Sequence, residues 1–112
     1  MPAAAESQFV YLTTTGRITG LPREIEIWYV SDPASAGRLF LLAEHFHHTK
    51  WVKNIQAEPK VKLRLNGIEH PALARILDQE RDGAEWNLAQ RLAREKYGWG
   101  EGLPVEISLE AL

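Results

Sequence analysis

Between two segments of strand character lies the run Thr13-Thr14-Thr15-Gly16-Arg17-Ile18-Thr19-Gly20-Leu21-Pro22-Arg23. It combines hydroxyls, two glycines and two guanidinium groups. Glycine permits left-handed or close-approach backbone, while threonine hydroxyls and arginine forks donate well to phosphate and carboxylate oxygens. A plain hairpin needs a glycine and perhaps a proline, but it has no need of both arginines. A hydrogen bond from arginine to an anion is worth about 1.5–3 kcal/mol, so a few of them anchor an anionic ligand. The motif reads as an anion-holding loop, against the plainer reading of a polar hairpin with solvated arginines. It carries no phosphate-loop or dinucleotide fingerprint.

Three other constellations could do chemistry. Lys50-Trp51-Val52-Lys53-Asn54 opens a short helical pattern, so free amides and two lysines one turn apart face an anion. Trp51 either packs beneath a flat ring or fills the core, and Asn54 either bonds a ligand or braces a loop. Glu44-His45-Phe46-His47-His48 suggests zinc or iron by ligand type. Its spacing matches no familiar metal motif, and histidines at a strand end or on a ligand rim are the plainer reading. Tyr97-Gly98-Trp99-Gly100-Glu101-Gly102 reads as a helix end followed by a flexible connection, with Tyr97 and Trp99 available to line the mouth of a pocket for a flat substrate. No serine occupies a nucleophile elbow, and a hydrolase is not expected.

The elements that must position these groups follow from periodicity. Gln8 to Thr14 is aromatic, β-branched and threonine-rich. Arg23 to Val30 alternates at first and then turns apolar on both faces, and Arg38 to Ala43 is continuously apolar. His48 to Ala57 is a short amphipathic helix stopped near Pro59. Lys60 to Leu65 alternates, Asn66-Gly67 signals a hairpin, and Ile68 to Leu77 returns, its Pro71 suggesting an edge or a bulge. Asp78 is read as the N-cap of a helix running to Tyr97, with Gly98 at its end. Val105 to Leu109 is the last strand. The order β-β-β-α-β-β-α-β predicts a mainly β, α+β domain: a six-stranded antiparallel barrel with two helices.

Bulk properties bound the function. The chain has 112 residues, 45% hydrophobic, with a formal net charge of −2. That predicts a single domain spanning 1–112 with one core. The charge argues against a general nucleic-acid binder, and Lys60, Lys62 and Arg64 read as a solvated strand face. There is no cysteine, which excludes disulfides, thiolate ligands and cysteine nucleophiles and fits a cytoplasmic protein. Met1 to Glu6 lacks the features of a secretory signal, and no run reaches the ~20 apolar residues of a membrane-spanning helix. A soluble protein is expected.

LTTTGRITGLPREIEIWYV, RLFLLAEH, KWVKNIQAEPKVKLRL and the LPVEI strand together resemble the deazaflavin-dependent nitroreductase and quinone reductase family. The likeness runs from about Phe9 to Leu109 and rests on LTTTGR-x-TG-x-x-R and on W-x-x-N-[IL]-x-A-x-P, here Trp51 to Pro59. It implies a split β-barrel of the FMN-binding type. It implies reduced deazaflavin (coenzyme F-420), or FMN as the alternative, passing a hydride to a small quinone-like or nitroaromatic acceptor. Carried over, Thr15, Gly16, Arg17, Thr19 and Arg23, with Lys50, Trp51 and Asn54, would contact the cofactor. Tyr29 and Tyr97 would face the acceptor. Hydride transfer asks little of side chains, so no catalytic residue is named, and no metal. A homodimer is implied, because such barrels often complete the cofactor groove across a two-fold interface.

Two departures stand out: Ile18 replaces a common lysine, and a short Glu44–Thr49 loop replaces a Gly-rich one that contains lysine. They keep a rival in view, a non-catalytic barrel holding haem, lipid or metal through the His45–His48 region.

Overall fold

The computed structural model describes residues 9–110. Gln8 and the Met1–Glu6 start lie outside the described residues. The strands are β1 Phe9–Thr15, β2 Pro22–Trp28, β3 Val30–Ser31, β4 Arg38–Ala43, β5 Lys60–Leu65, β6 Ile68–Ile76 and β7 Leu103–Leu109. The helices are α1, Lys50–Ala57, and α2, Gly83–Tyr97, with a single 3-10 turn at Phe46–His48. All strands join one antiparallel sheet of order β2-β1-β5-β6-β7-β4-β3. Among the described residues no helix is long and apolar enough to cross a membrane.

The sheet has seven strands where the sequence predicts six, because the segment from Arg23 to Val30 breaks at Tyr29. Among the described residues β2 pairs only with β1 before the break, and after it β3 pairs only with β4. One bent strand thus carries the chain from one margin of the sheet to the other. That curls the sheet into a half-barrel and leaves a seam between β2 and the second half of β4. Along this seam neither strand has a ladder partner among the described residues. The register puts Leu12 opposite both Ile25 and Leu63, and sets Leu39 and Leu41 beside Ile107 and Val105. These alternate positions form the core, to which α1 adds Val52 and Ile55. Helix α2 packs against β3, β4 and β7, burying Trp86, Ala89 and Ala93.

Three expectations change. Helix α2 begins at Gly83 with Asp82 as N-cap, not at Asp78. Asp78 instead closes a preceding turn by accepting the Glu80 and Arg81 amides at 3.0 and 2.9 Å. Pro71 is not on an edge strand: β6 lies between β5 and β7, and Pro71 stands just before the β7 ladder begins at Ala72. The glycines after α2 are not a flexible connection either. A Cβ on Gly100 would overlap the Gln90 carbonyl, and one on Gly102 would sit 2.9 Å from the Ala43 carbonyl and 2.8 Å from the Trp99 ring. Gly98 does end the helix in the left-handed region, as expected.

On one flank, a chain of ion pairs runs Asp32–Arg38–Glu106–Arg75–Asp82, with contacts of 2.8, 3.1, 3.3 and 2.8 Å. It ties three strands to the start of α2. Arg75 holds the Asp82 carboxyl below its usual range through their hydrogen bond, helped by the Asp78 amide. On the β1–β5 outer face, Arg64 lies 4.2 Å above the Tyr11 ring and pairs with Glu24, while Lys62 pairs with Glu69.

Candidate functional site

The β1–β2 turn is held by polar contacts. The Gly16 amide donates to the Leu21 carbonyl and the Gly20 amide to the Gly16 carbonyl, both at 2.8 Å. The Thr19 hydroxyl accepts the Leu21 amide at 3.2 Å. Asn54, buried on α1, reaches across: its Oδ1 accepts from the Arg17 amide (3.2 Å) and from Arg17 Nη1 (3.0 Å). Its Nδ2 donates to the buried Thr14 hydroxyl at 3.1 Å. Asn54 therefore braces the loop. Arg23 makes no ion pair among the described residues and is exposed. It shares a sheet face with Thr14, and its Nε would lie 3.5 Å from a Cβ on Gly16.

The second feature is a cleft of about 540 Å³ at the seam. β1 and β2 contribute Phe9, Glu26, Ile27 and Trp28; β4 and its exit contribute Phe40, Leu42, Glu44 and His45. Thr49 and Trp51 line it from α1, and Tyr97 and Trp99 from α2 and beyond. The two aromatic margins are joined, since Trp28 stacks on Tyr97 with centroids 4.5 Å apart and planes at 15°. At the strand break, the Tyr29 carbonyl accepts both the Tyr97 hydroxyl (2.6 Å) and Lys96 Nζ (3.1 Å). The Lys96 ammonium also sits 4.2 Å from the Tyr29 ring centre. Glu26 accepts the Tyr11 hydroxyl at 2.7 Å and holds that phenol above its ordinary value, first by the hydrogen bond and then by its charge.

The residues singled out from sequence thus separate into two groups. Thr15, Gly16, Arg17, Thr19, Arg23 and Asn54 gather at the turn, while Tyr29, Trp51 and Tyr97 line the cleft. Lys50 lines neither; it borders a second hollow with Glu44, His45, Phe46, His48 and Thr49. Helix α1 connects the groups, with half-buried Trp51 in the cleft and Asn54 one turn on at the loop. Among the described residues no group of three or more side chains is placed to hold a metal, and His47 contacts Gln56 instead.

Sequence reasoning missed Phe9, Trp28 and Thr49. Trp28 carried a signal, since β2 turns apolar on both faces there. Thr49 carried none. Its hydroxyl is buried at the start of α1 without a hydrogen-bond partner among the described residues.

An aromatic-walled cleft suits a flat, mostly apolar ring with a few polar edges. The unpartnered Thr49 hydroxyl is the type of group a ring oxygen or nitrogen would satisfy. Arg23, Ile25 and Ile27 lie on one face of β2, so a row about 13 Å long leads from the cleft to the arginine end. The residues present fit a ligand with a flat ring and an anionic tail.

Comparison with known proteins agrees with this shape. The family model described as F420H(2)-dependent quinone reductase matches residues 4–109. A structure described as an F420-H2 dependent reductase (FDR-A) is 24% identical, covering 98% of this chain and 100% of that one, with a TM-score of 0.69. Another, described as a domain-swapped dimer, is 23% identical over 97% of this chain and 84% of that one, with a TM-score of 0.67. HutZ, a haem storage protein from Vibrio cholerae, is 15% identical over 94% of this chain and 82% of that one, with a TM-score of 0.68. No curated protein matches the chain. At these identities the structural likenesses show the fold, a curled antiparallel sheet similar to the split barrel.

Proposed function

We propose, for a chain that belongs to the F420H(2)-dependent quinone reductase family, a deazaflavin-dependent reductase acting on a small quinone-like or nitroaromatic acceptor. The observation that carries this reading is the aromatic cleft at the barrel seam, continued along β2 to Arg23. When bound, the reduced deazaflavin supplies a hydride; the chain's work is binding, orientation and exclusion of water. In this reading Trp51 and the Thr49 hydroxyl hold the ring. Arg23 grips the anionic tail, with Lys50 at the margin. Arg17 and Asn54 fix the turn that presents Thr15, Gly16 and Thr19. Trp28, Tyr29 and Tyr97 form the wall against which the acceptor lies. The Tyr97 hydroxyl is committed to the Tyr29 carbonyl and serves to hold that wall.

The working form in this proposal is a homodimer. A β2 edge with no strand partner among the described residues, the exposed Trp28 and Leu21, and the similar structure described as a domain-swapped dimer support it. Sedimentation at micromolar concentration is expected to give twice the chain mass, and a monomer would remove the dimer from the proposal.

Titration with reduced deazaflavin and with FMN tests the cofactor. Deazaflavin is expected to bind in the micromolar range and FMN more weakly. Ile18, in place of a phosphate-binding lysine, is the feature that favours FMN or a non-catalytic barrel instead. Failure of both ligands to bind below about 1 mM, some 4 kcal/mol, would overturn the enzyme reading. Haem binding with a strong visible band would then favour the storage-type rival.

A further inference from the structure

Reduction of a quinone by hydride needs a proton as well, and the cleft offers few groups to give one. Its titratable lining groups are Glu26, Tyr29, Glu44, His45 and Tyr97. Tyr97 already donates its hydroxyl to the Tyr29 carbonyl. Tyr29 is buried, with the Lys96 ammonium above its ring. Glu26 is engaged as the acceptor of the Tyr11 hydroxyl, and carboxyl groups as a class donate only in their acid form. His45 remains. It lines the cleft, is open to solvent, and its ring makes no hydrogen bond or ion pair among the described residues.

We infer that His45 is the proton donor to the acceptor oxygen, a catalytic role that rests on the reductase reading above. The step balances as follows. A hydride, two electrons and one hydrogen, comes from the reduced cofactor to the quinone. A ring N–H bond of the His45 imidazolium breaks and an O–H bond forms on the quinone oxygen, giving the hydroquinone. The neutral imidazole regains a proton from water, to which it is exposed, and the cofactor's other exchangeable hydrogen leaves to solvent. Histidine suits the task because its charge changes between about pH 5 and 8. The charged and titratable groups that share its cleft are Glu26, Tyr29, Glu44 and Tyr97, and Glu44, His48 and Lys50 share the second hollow it also borders.

The test compares the wild type, His45→Gln and His48→Gln, the last lining only the second hollow. With reduced deazaflavin and a soluble quinone, H45Q is expected to lose roughly 100-fold or more in kcat, the usual scale of general-acid catalysis. Cofactor affinity should not change, and H48Q should match the wild type. The wild-type rate should fall as pH rises through the histidine range, and H45Q should lack that limb.

A second readout needs no turnover. In NMR titrations of the unliganded wild type, adding a hydroquinone should lower the His45 midpoint, because only the neutral ring accepts its hydroxyl. The midpoints of His47 and His70 should stay. If H45Q fails to fold, this titration decides, and an unmoved His45 overturns the role. A folded H45Q within threefold of wild type, with the same pH profile, overturns the proton donor while leaving the reductase reading intact. A wild type that neither binds nor oxidises reduced deazaflavin overturns both.

Discussion

The β1–β2 turn and the seam cleft are both rich in groups that bind ligands, yet they spend those groups differently. At the turn most donors are consumed internally: Asn54 takes both the amide and the guanidinium of Arg17, and Thr19 takes the Leu21 amide. Neither Arg17 nor Arg23 makes an ion pair among the described residues, but the Arg17 guanidinium is held in place by the neutral Asn54 amide. In the cleft the apolar faces remain open, and the polar contacts, chiefly those on the Tyr29 carbonyl, fasten its walls. The turn is thus a braced frame in which one guanidinium, that of Arg17, is tethered and that of Arg23 is not, and the cleft is a preformed slot. A motif dense in hydrogen-bonding residues is not for that reason a motif with all of them free.

The largest expected effect comes from breaking the frame. Asn54→Ala removes three hydrogen bonds and leaves the buried Thr14 hydroxyl without its Asn54 partner. It is expected to destabilise the fold by about 2–4 kcal/mol, read by urea denaturation, and to weaken cofactor binding as well. A loss under ~0.5 kcal/mol would show that the brace is not structural. Next comes Arg23→Ala, which should weaken affinity for the anionic cofactor about 10- to 100-fold, the value of one or two charge-assisted bonds. Its unfolding midpoint should not move, whereas Arg17→Ala should lower both. Equal effects of the two arginines on stability would erase the distinction drawn between them.

At the cleft, Trp28→Ala removes the stack on Tyr97 and part of the wall. Acceptor KM should rise about 2- to 10-fold, the value of an aromatic pair, while cofactor affinity holds. The smallest effect belongs to the ion-pair flank, which lies behind the cleft wall with Arg38 over the Phe40 ring. The Asp82 carboxyl is held low, so its contribution is full above the ordinary carboxylate range and is lost as pH falls through its lowered value. Stability should therefore decline below about pH 4, and Arg75→Met should flatten part of that decline. At neutral pH this substitution should cost about 1 kcal/mol and leave ligand binding untouched.

Much of this was legible along the chain. Arg38–Ala43 and Lys60–Leu65 were readable to the residue, because each strand's period and flanking turn signals are local. The membership of the turn was legible too, since its residues are contiguous. The break at Tyr29 was not: a strand that changes partners keeps its local pattern, and only the partners reveal it. The start of α2 shifted because Asp78 spends its carboxylate on the Glu80 and Arg81 amides of a preceding turn, which a local reading cannot tell from a helix cap.

By itself the sequence determined the places of the two helices, the antiparallel class and the two fixed positive charges of the turn, since hydrophobic period, glycine positions and charge are properties of neighbouring residues. Tertiary structure alone decided that Asn54 braces the β1–β2 turn, that Gly100 and Gly102 are packing positions, and that Phe9, Trp28, His45, Thr49 and Tyr97 meet in one cleft. Those facts depend on distances between segments far apart in the chain, which are fixed only when the bent β2–β3 strand brings the two margins of the sheet together.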